Sequence, residues 1–276
     1  MPPWWAQSGT ATRLSAAAAV ALVTPAAAAG EGAVARLLEA VEAHGPITEG
    51  VTAETLGRTC GTDLLCAARR IVAGDDGRAR LERRAHPDTD TIRWVTTRAS
   101  LGSHAQAGEG RTVVSLERFG RKVEWELRAA LAGQDSGRGL VLDLRDNRGG
   151  DFGRMLRVAG LFTGALPEAL YLIDGSGRRP VGIPGNGTPL DTGALTVLVG
   201  PETASSGEIL AALLRRYAGA EMIGQRTLGK DYLLRVVAID QDWRLLLPAE
   251  RVEVPGETLA GGLRPDCPLP ADGIAP

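Results

Sequence analysis

LTVLVGPETASSGEILAALLRRYAG, residues 195–219, passes from an apolar, β-branched run through a Pro-Glu-Thr turn straight into a helical pattern. A strand feeding a helix without a linker is half of a βαβ unit, so this stretch predicts a parallel α/β core. The turn itself has two readings. Ser205 and Glu208 spell S-x-x-E, a capping box in which each side chain satisfies an orphan N–H of the first helical turn. Ser205 also stands where the helix dipole and free N–H groups favour negative charge, which suits a nucleophile.

Working outward, the same alternation extends in both directions. RTVVSLERF (111–119) reads as a strand, GRKVEWELRAALAG (120–133) as a helix and RGLVLDLR (138–145) as a buried strand. The glycine turn NRGG (147–150) leads into the helical FGRMLRVAGLFTG. EALYLID and EMIG are further strands, and DYLLRVVAID with WRLLLP predicts a hairpin. NRGG and TASSGE both fall at strand-to-helix turns, the end at which an α/β fold places its chemistry.

The residues before 111 differ. Arg13 followed by LSAAAAVALVT and PAAAAG has the basic start, short apolar run and small-residue end of a secretory signal over residues 1–29, an uncleaved anchor or Ala-rich tail being the alternative. The apolar run is too short to predict a stable membrane span. Residues 30–110 read as a small, mostly helical region (VARLLEAVEAH, TDLLCAARRIVA), then short β-like runs (ARLERR, TIRWVTTRAS) and a Gly-rich linker or irregular loop at 102–110. Residues 111–276 form the core. Cys60 and Cys66 are placed to close a local disulfide, with three unpaired thiols as the alternative; Cys267 is left over.

Composition narrows the function. A net charge of -2 offers no basic field for nucleic acid, and few aromatics (3 Phe, 3 Tyr, 5 Trp) offer no base-stacking platform. No Cys or His spacing predicts a metal site, and G-x-G-x-x-G is absent at the NRGG turn. No cofactor is expected, and oligomeric state has no signature.

If Ser205 is a nucleophile it needs a base. His44, His86 and His104 all precede the α/β core. Lys122 and Lys230 are the only lysines, and Lys230, in the compact GQRTLGKDY, can serve as a base if burial lowers its pKa. An exposed turn lysine is the alternative. The N–H groups of Ser206 and of Gly149 or Gly150 are candidates for an oxyanion hole.

In these blocks the chain resembles the C-terminal processing (tail-specific) serine peptidases. LVLDLRDNRGGDF is similar to that family's LDLRxNPGG, VLVGPETASSGEILAALL to its VLVxxxTASASEI, MIGQRTLGK to its VGxxTFGK and GGLRPDCPL to its GIxPD segment. The resemblance runs from about Arg111 to Pro268. It implies a crotonase- or Clp-like α/β core, a Ser205–Lys230 dyad, and an oxyanion hole from Gly149 and Ser206, with Gly150 the fallback. It leaves Glu208 as either capping partner or catalytic helper.

Three departures accompany it. Arg148 replaces the proline of NPGG, Leu234 stands where many relatives place a supporting Gln, and Arg216 where others place an Asp. Residues 74–110 are also too few for the PDZ domain that precedes the core in relatives. The reading is an exported serine endopeptidase acting on polypeptide, without nucleic acid, metal or cofactor. The rival is a weak or inactive periplasmic peptide-binding module on the same fold.

Overall fold

The computed structural model describes Leu37 and residues 53–74, 79–83, 101–106, 111–133, 136–239 and 243–270. The signal segment, His44, His86 and the TIRWVTTRAS strand up to residue 100 lie outside them.

The apolar runs become a six-stranded sheet. In chain order its strands are β2 (Leu101–Gln106), β3 (Thr112–Leu116), β4 (Leu140–Asp143), β7 (Leu195–Val199), β8 (Glu221–Gly224) and β11 (Cys267–Pro268). They lie side by side in that same order. Every pair is parallel except β2 with β3. Burial on both faces explains why β4 and β7 read as continuous Leu/Val runs.

Because the order never reverses, right-handed crossovers put the connecting helices on one face. These helices are α3 (Val123–Leu131), α4 (Phe152–Thr163) and α5 (Ser206–Ala218), and α4 packs against both neighbours. Helix α5 is buried from Ser206 through Leu214, so it is the central helix of the core and not a surface element. Each fully buried leucine there contributes about 1.5–3 kcal/mol.

A second, antiparallel sheet joins β1 (Arg80–Arg83), β5 (Leu166–Asp174), β6 (Gly177–Ile183), β9 (Tyr232–Ala238) and β10 (Trp243–Glu253). Hairpin β9–β10 forms as the pattern predicts, but β10 continues past a register shift at Pro248/Glu250 to pair with β5. Strand β6, rich in Gly and Arg, had no sequence signal.

Helices α1 (Ala53–Cys60) and α2 (Leu64–Gly74) are joined by a Cys60–Cys66 disulfide; Cys267 is free and exposed. Leu56, Ala67, Ala68 and Ile71 share a small core with Val237, Ile239, Leu245 and Leu247 of the hairpin region. The helical segment therefore seats on the hairpin that follows Lys230.

One expectation is corrected. The 102–110 linker is in part strand: LGSHAQ pairs with β3 and is the outermost strand of the sheet among the described residues. Its Gly, Ser and His carry little β-propensity, and only the neighbouring strand organises them. Arg80–Arg83 likewise pairs with Trp243–Leu246, so strands before residue 111 belong to both sheets. Among the described residues no helix is long and apolar enough to cross a membrane.

Candidate active site

Strands β4 and β7 are adjacent and parallel, so the turns that leave their C-terminal ends meet. Thr203 and Asn147, both fully buried, lock them together. The Thr203 hydroxyl donates to the Leu144 carbonyl (2.8 Å) and accepts from Gly200 N–H (2.9 Å). Ala204 N–H donates to the Asn147 carbonyl (2.9 Å), and Asn147 Nδ2 donates to Leu116 O (2.9 Å).

This frame holds Ser205 at φ 54°, ψ −122°, and among the described residues it is the one non-glycine with positive φ. Such a backbone costs about 1–3 kcal/mol and persists only where its surroundings over-determine it. They do so here. Ser205 N–H donates to Glu208 Oε2 (2.8 Å), and its carbonyl accepts from Ile209 N–H (2.9 Å). The serine is thus displayed on a strained turn at the N-terminus of the buried helix α5.

Gly149 fits against that turn at φ 94°. A Cβ there would lie 2.9 Å from Ser205 Cβ, 2.9 Å from Ala204 O and 3.1 Å from Ser206 N. The missing side chain leaves a small space beside the serine and the Ser206 amide nitrogen. Ser206 itself is buried, and its hydroxyl donates to the Gly150 carbonyl (3.0 Å). One detail departs from the expected oxyanion hole: Gly149 N–H is donated to Asn147 Oδ1 (2.9 Å). It must leave or share that acceptor before it can serve an oxyanion.

Glu208, completely buried, ties the second catalytic candidate to the first. Its Oε2 accepts from the backbone N–H groups of both Ser205 and Lys230, each at 2.8 Å. Two donors on one oxygen place those nitrogens within about 6 Å of each other. Its Oε1 accepts from Gly229 N–H (2.6 Å) and the Thr227 hydroxyl (2.5 Å). Glu208 is therefore a capping partner that also carries the backbone of the Lys230 loop.

Glu208→Gln keeps the shape but turns one oxygen into a donor; the Thr227 hydroxyl can rotate to accept from it, whereas Gly229 N–H cannot. A hydrogen bond to a charged acceptor contributes about 1.5–3 kcal/mol, so losing the Gly229 bond should destabilise by about that much. Urea unfolding reads this as a lower midpoint with m unchanged. A change below about 0.5 kcal/mol would mean that the carboxylate does not organise the loop.

Lys230 is half-buried, and its pKa is held below the usual 10.5. Desolvation is the main cause, the positive charge of Arg80 adds to it, and Glu208 opposes both. Arg80, on β1 and ion-paired with Glu82 (2.7 Å), was missed in the sequence because only long-range pairing brings it near. His104 lies within β2, paired with Val114 of β3. Among the described residues no three His, Cys, Asp or Glu side chains converge to hold a metal ion.

An α/β core, a strained serine at a helix N-terminus and a lysine whose backbone shares one carboxylate with it form an arrangement that could serve a serine nucleophile and a lysine base. The chain belongs to peptidase family S41, whose family model matches residues 112–269. It is 34% identical to carboxyl-terminal-processing peptidase 2, chloroplastic, of Arabidopsis thaliana over 47% of this chain and 26% of the relative. Among solved structures it resembles the photosystem II D1 C-terminal processing protease (TM-score 0.52, 25% identity, 71% of this chain and 49% of that one). It shares its fold with a lipoprotein from Streptococcus agalactiae (TM-score 0.65, 16% identity, 88% and 92% covered). The chain thus spans about a quarter of the length of the first of these, the curated relative.

Proposed function

We propose that the chain is an exported endopeptidase that cleaves unfolded or tail segments of polypeptides with a Ser205–Lys230 dyad. The observation that carries this reading is Glu208, which binds the backbone of both residues through one oxygen. Neutral Lys230 takes the Ser205 proton as the oxygen attacks the peptide carbonyl. Negative charge develops in the space beside Gly149 and is met by the Ser206 N–H and the dipole of α5. Protonated Lys230 then gives its proton to the leaving amine, and water resolves the acyl-enzyme. Residues 1–29 would be removed on export, and helices α1 and α2 would brace the hairpin behind Lys230.

The Gly149 N–H bond to Asn147 favours a second reading, a peptide-binding module that does not turn over. The pH profile separates them. Only the neutral amine accepts a proton, so kcat/KM should rise with pH through the folded pKa of Lys230, which lies below 10.5. The protonated form predominates below that pKa and is inactive. A step at histidine pH that disappears in His104→Ala would contradict the dyad.

A further inference from the structure

Two large apolar side chains stand out as exposed among the described residues, Trp125 at 68% and Leu228 at 58%. A lone exposed leucine is ordinary on a protein surface. Leu228 differs in where it stands and how firmly it is held. It lies between buried Thr227 and half-buried Gly229, two residues before Lys230, and its own N–H donates to the carbonyl of Thr203 (3.0 Å), two residues before Ser205.

The amides around it are all committed. Thr227 N–H donates to Leu263 O (3.2 Å), while Gly229 and Lys230 N–H donate to the Glu208 carboxylate (2.6 and 2.8 Å). Four successive backbone donors are thus anchored to fixed acceptors under a side chain left open to solvent. A contact group held this way loses little freedom when something binds it. The neighbouring rim is charged: Arg148 pairs with Glu202, both exposed, one residue from Gly149 and Thr203 respectively.

We propose that Leu228 is a specificity-determining contact, receiving an apolar substrate side chain next to the scissile bond. This rests on the peptidase reading. The substrate class it selects is extended polypeptide with an apolar residue beside the cleaved bond, and an acidic residue there leaves the leucine covered by a poorly desolvated charge.

The test uses the full chain and one disordered peptide carrying Leu or Asp beside the cleaved bond. Wild type should prefer the Leu peptide by about tenfold or more in kcat/KM, the discrimination an apolar contact supplies. Leu228→Arg should invert that preference, chiefly through KM, and Leu228→Met should keep it. The same peptides bound to the Ser205→Ala variant and to Ser205→Ala/Leu228→Arg, read by fluorescence anisotropy, should show the same order of affinities. This arm needs no turnover, so it decides the role of Leu228 even where cleavage is absent and the peptidase reading fails. A Leu-to-Asp ratio unchanged by Leu228→Arg in binding and in cleavage overturns the proposal.

Discussion

Ser205→Ala and Lys230→Ala are each expected to lower kcat/KM for an unfolded polypeptide by about ten-thousand-fold or more, with no further loss in the double variant. A nucleophile and its base act as one unit, so removing either removes the proton transfer that both perform. Stability should part company with activity. Ser205 carries a positive φ, and Ser205→Gly relieves it at a position where glycine has no Cβ penalty. That variant should be inactive yet about 1 kcal/mol more stable than wild type, the trade-off expected where strain serves a site. Thermal unfolding beside a proteolysis assay reads both. Wild-type turnover in either single variant, or a destabilised Ser205→Gly, would contradict the assignment.

Gly149→Ala is the second large effect. Its Cβ would enter the space beside the serine, 2.9 Å from Ser205 Cβ and 3.1 Å from the Ser206 nitrogen, on a backbone at φ 94°. Removing one oxyanion donor from a serine protease costs about 100- to 1000-fold in kcat, and filling the space should cost at least as much with KM little changed. Gly150→Ala is the control. It also carries a positive φ, but its Cβ would approach no closer than 3.6 Å, to Phe119 Cδ2. It should be clearly milder. Equal losses at both positions would mean that the turn is displaced and that Gly150 faces the oxyanion.

These sites were unequally legible. The βα units from Thr112 onward follow from periodicity, because buried parallel strands are apolar on both faces and their helices are long. Strands β2 and β6 escaped because Gly, Ser and Arg form strands there only by pairing with a neighbour already in place. Ser205 and Lys230 were singled out as candidates from the ordered blocks. What joins them was not. S-x-x-E reads as a cap, and nothing local reveals that the same carboxylate also takes the Thr227, Gly229 and Lys230 donors. Arg80 was hidden for the same reason, since its influence on Lys230 depends on the tertiary fold. The commitment of Gly149 N–H to Asn147 is likewise a matter of turn geometry, not of residue type.

The most direct measurement is covalent trapping of the serine. A fluorophosphonate probe incubated with the full chain should add one phosphonyl group per molecule, and peptide mapping should place it on Ser205. Ser205→Ala should take up none, and Lys230→Ala should react far more slowly. An intact, folded protein that binds disordered peptide but stays unlabelled at high pH, where Lys230 is neutral, would contradict the dyad and leave a binding module in its place.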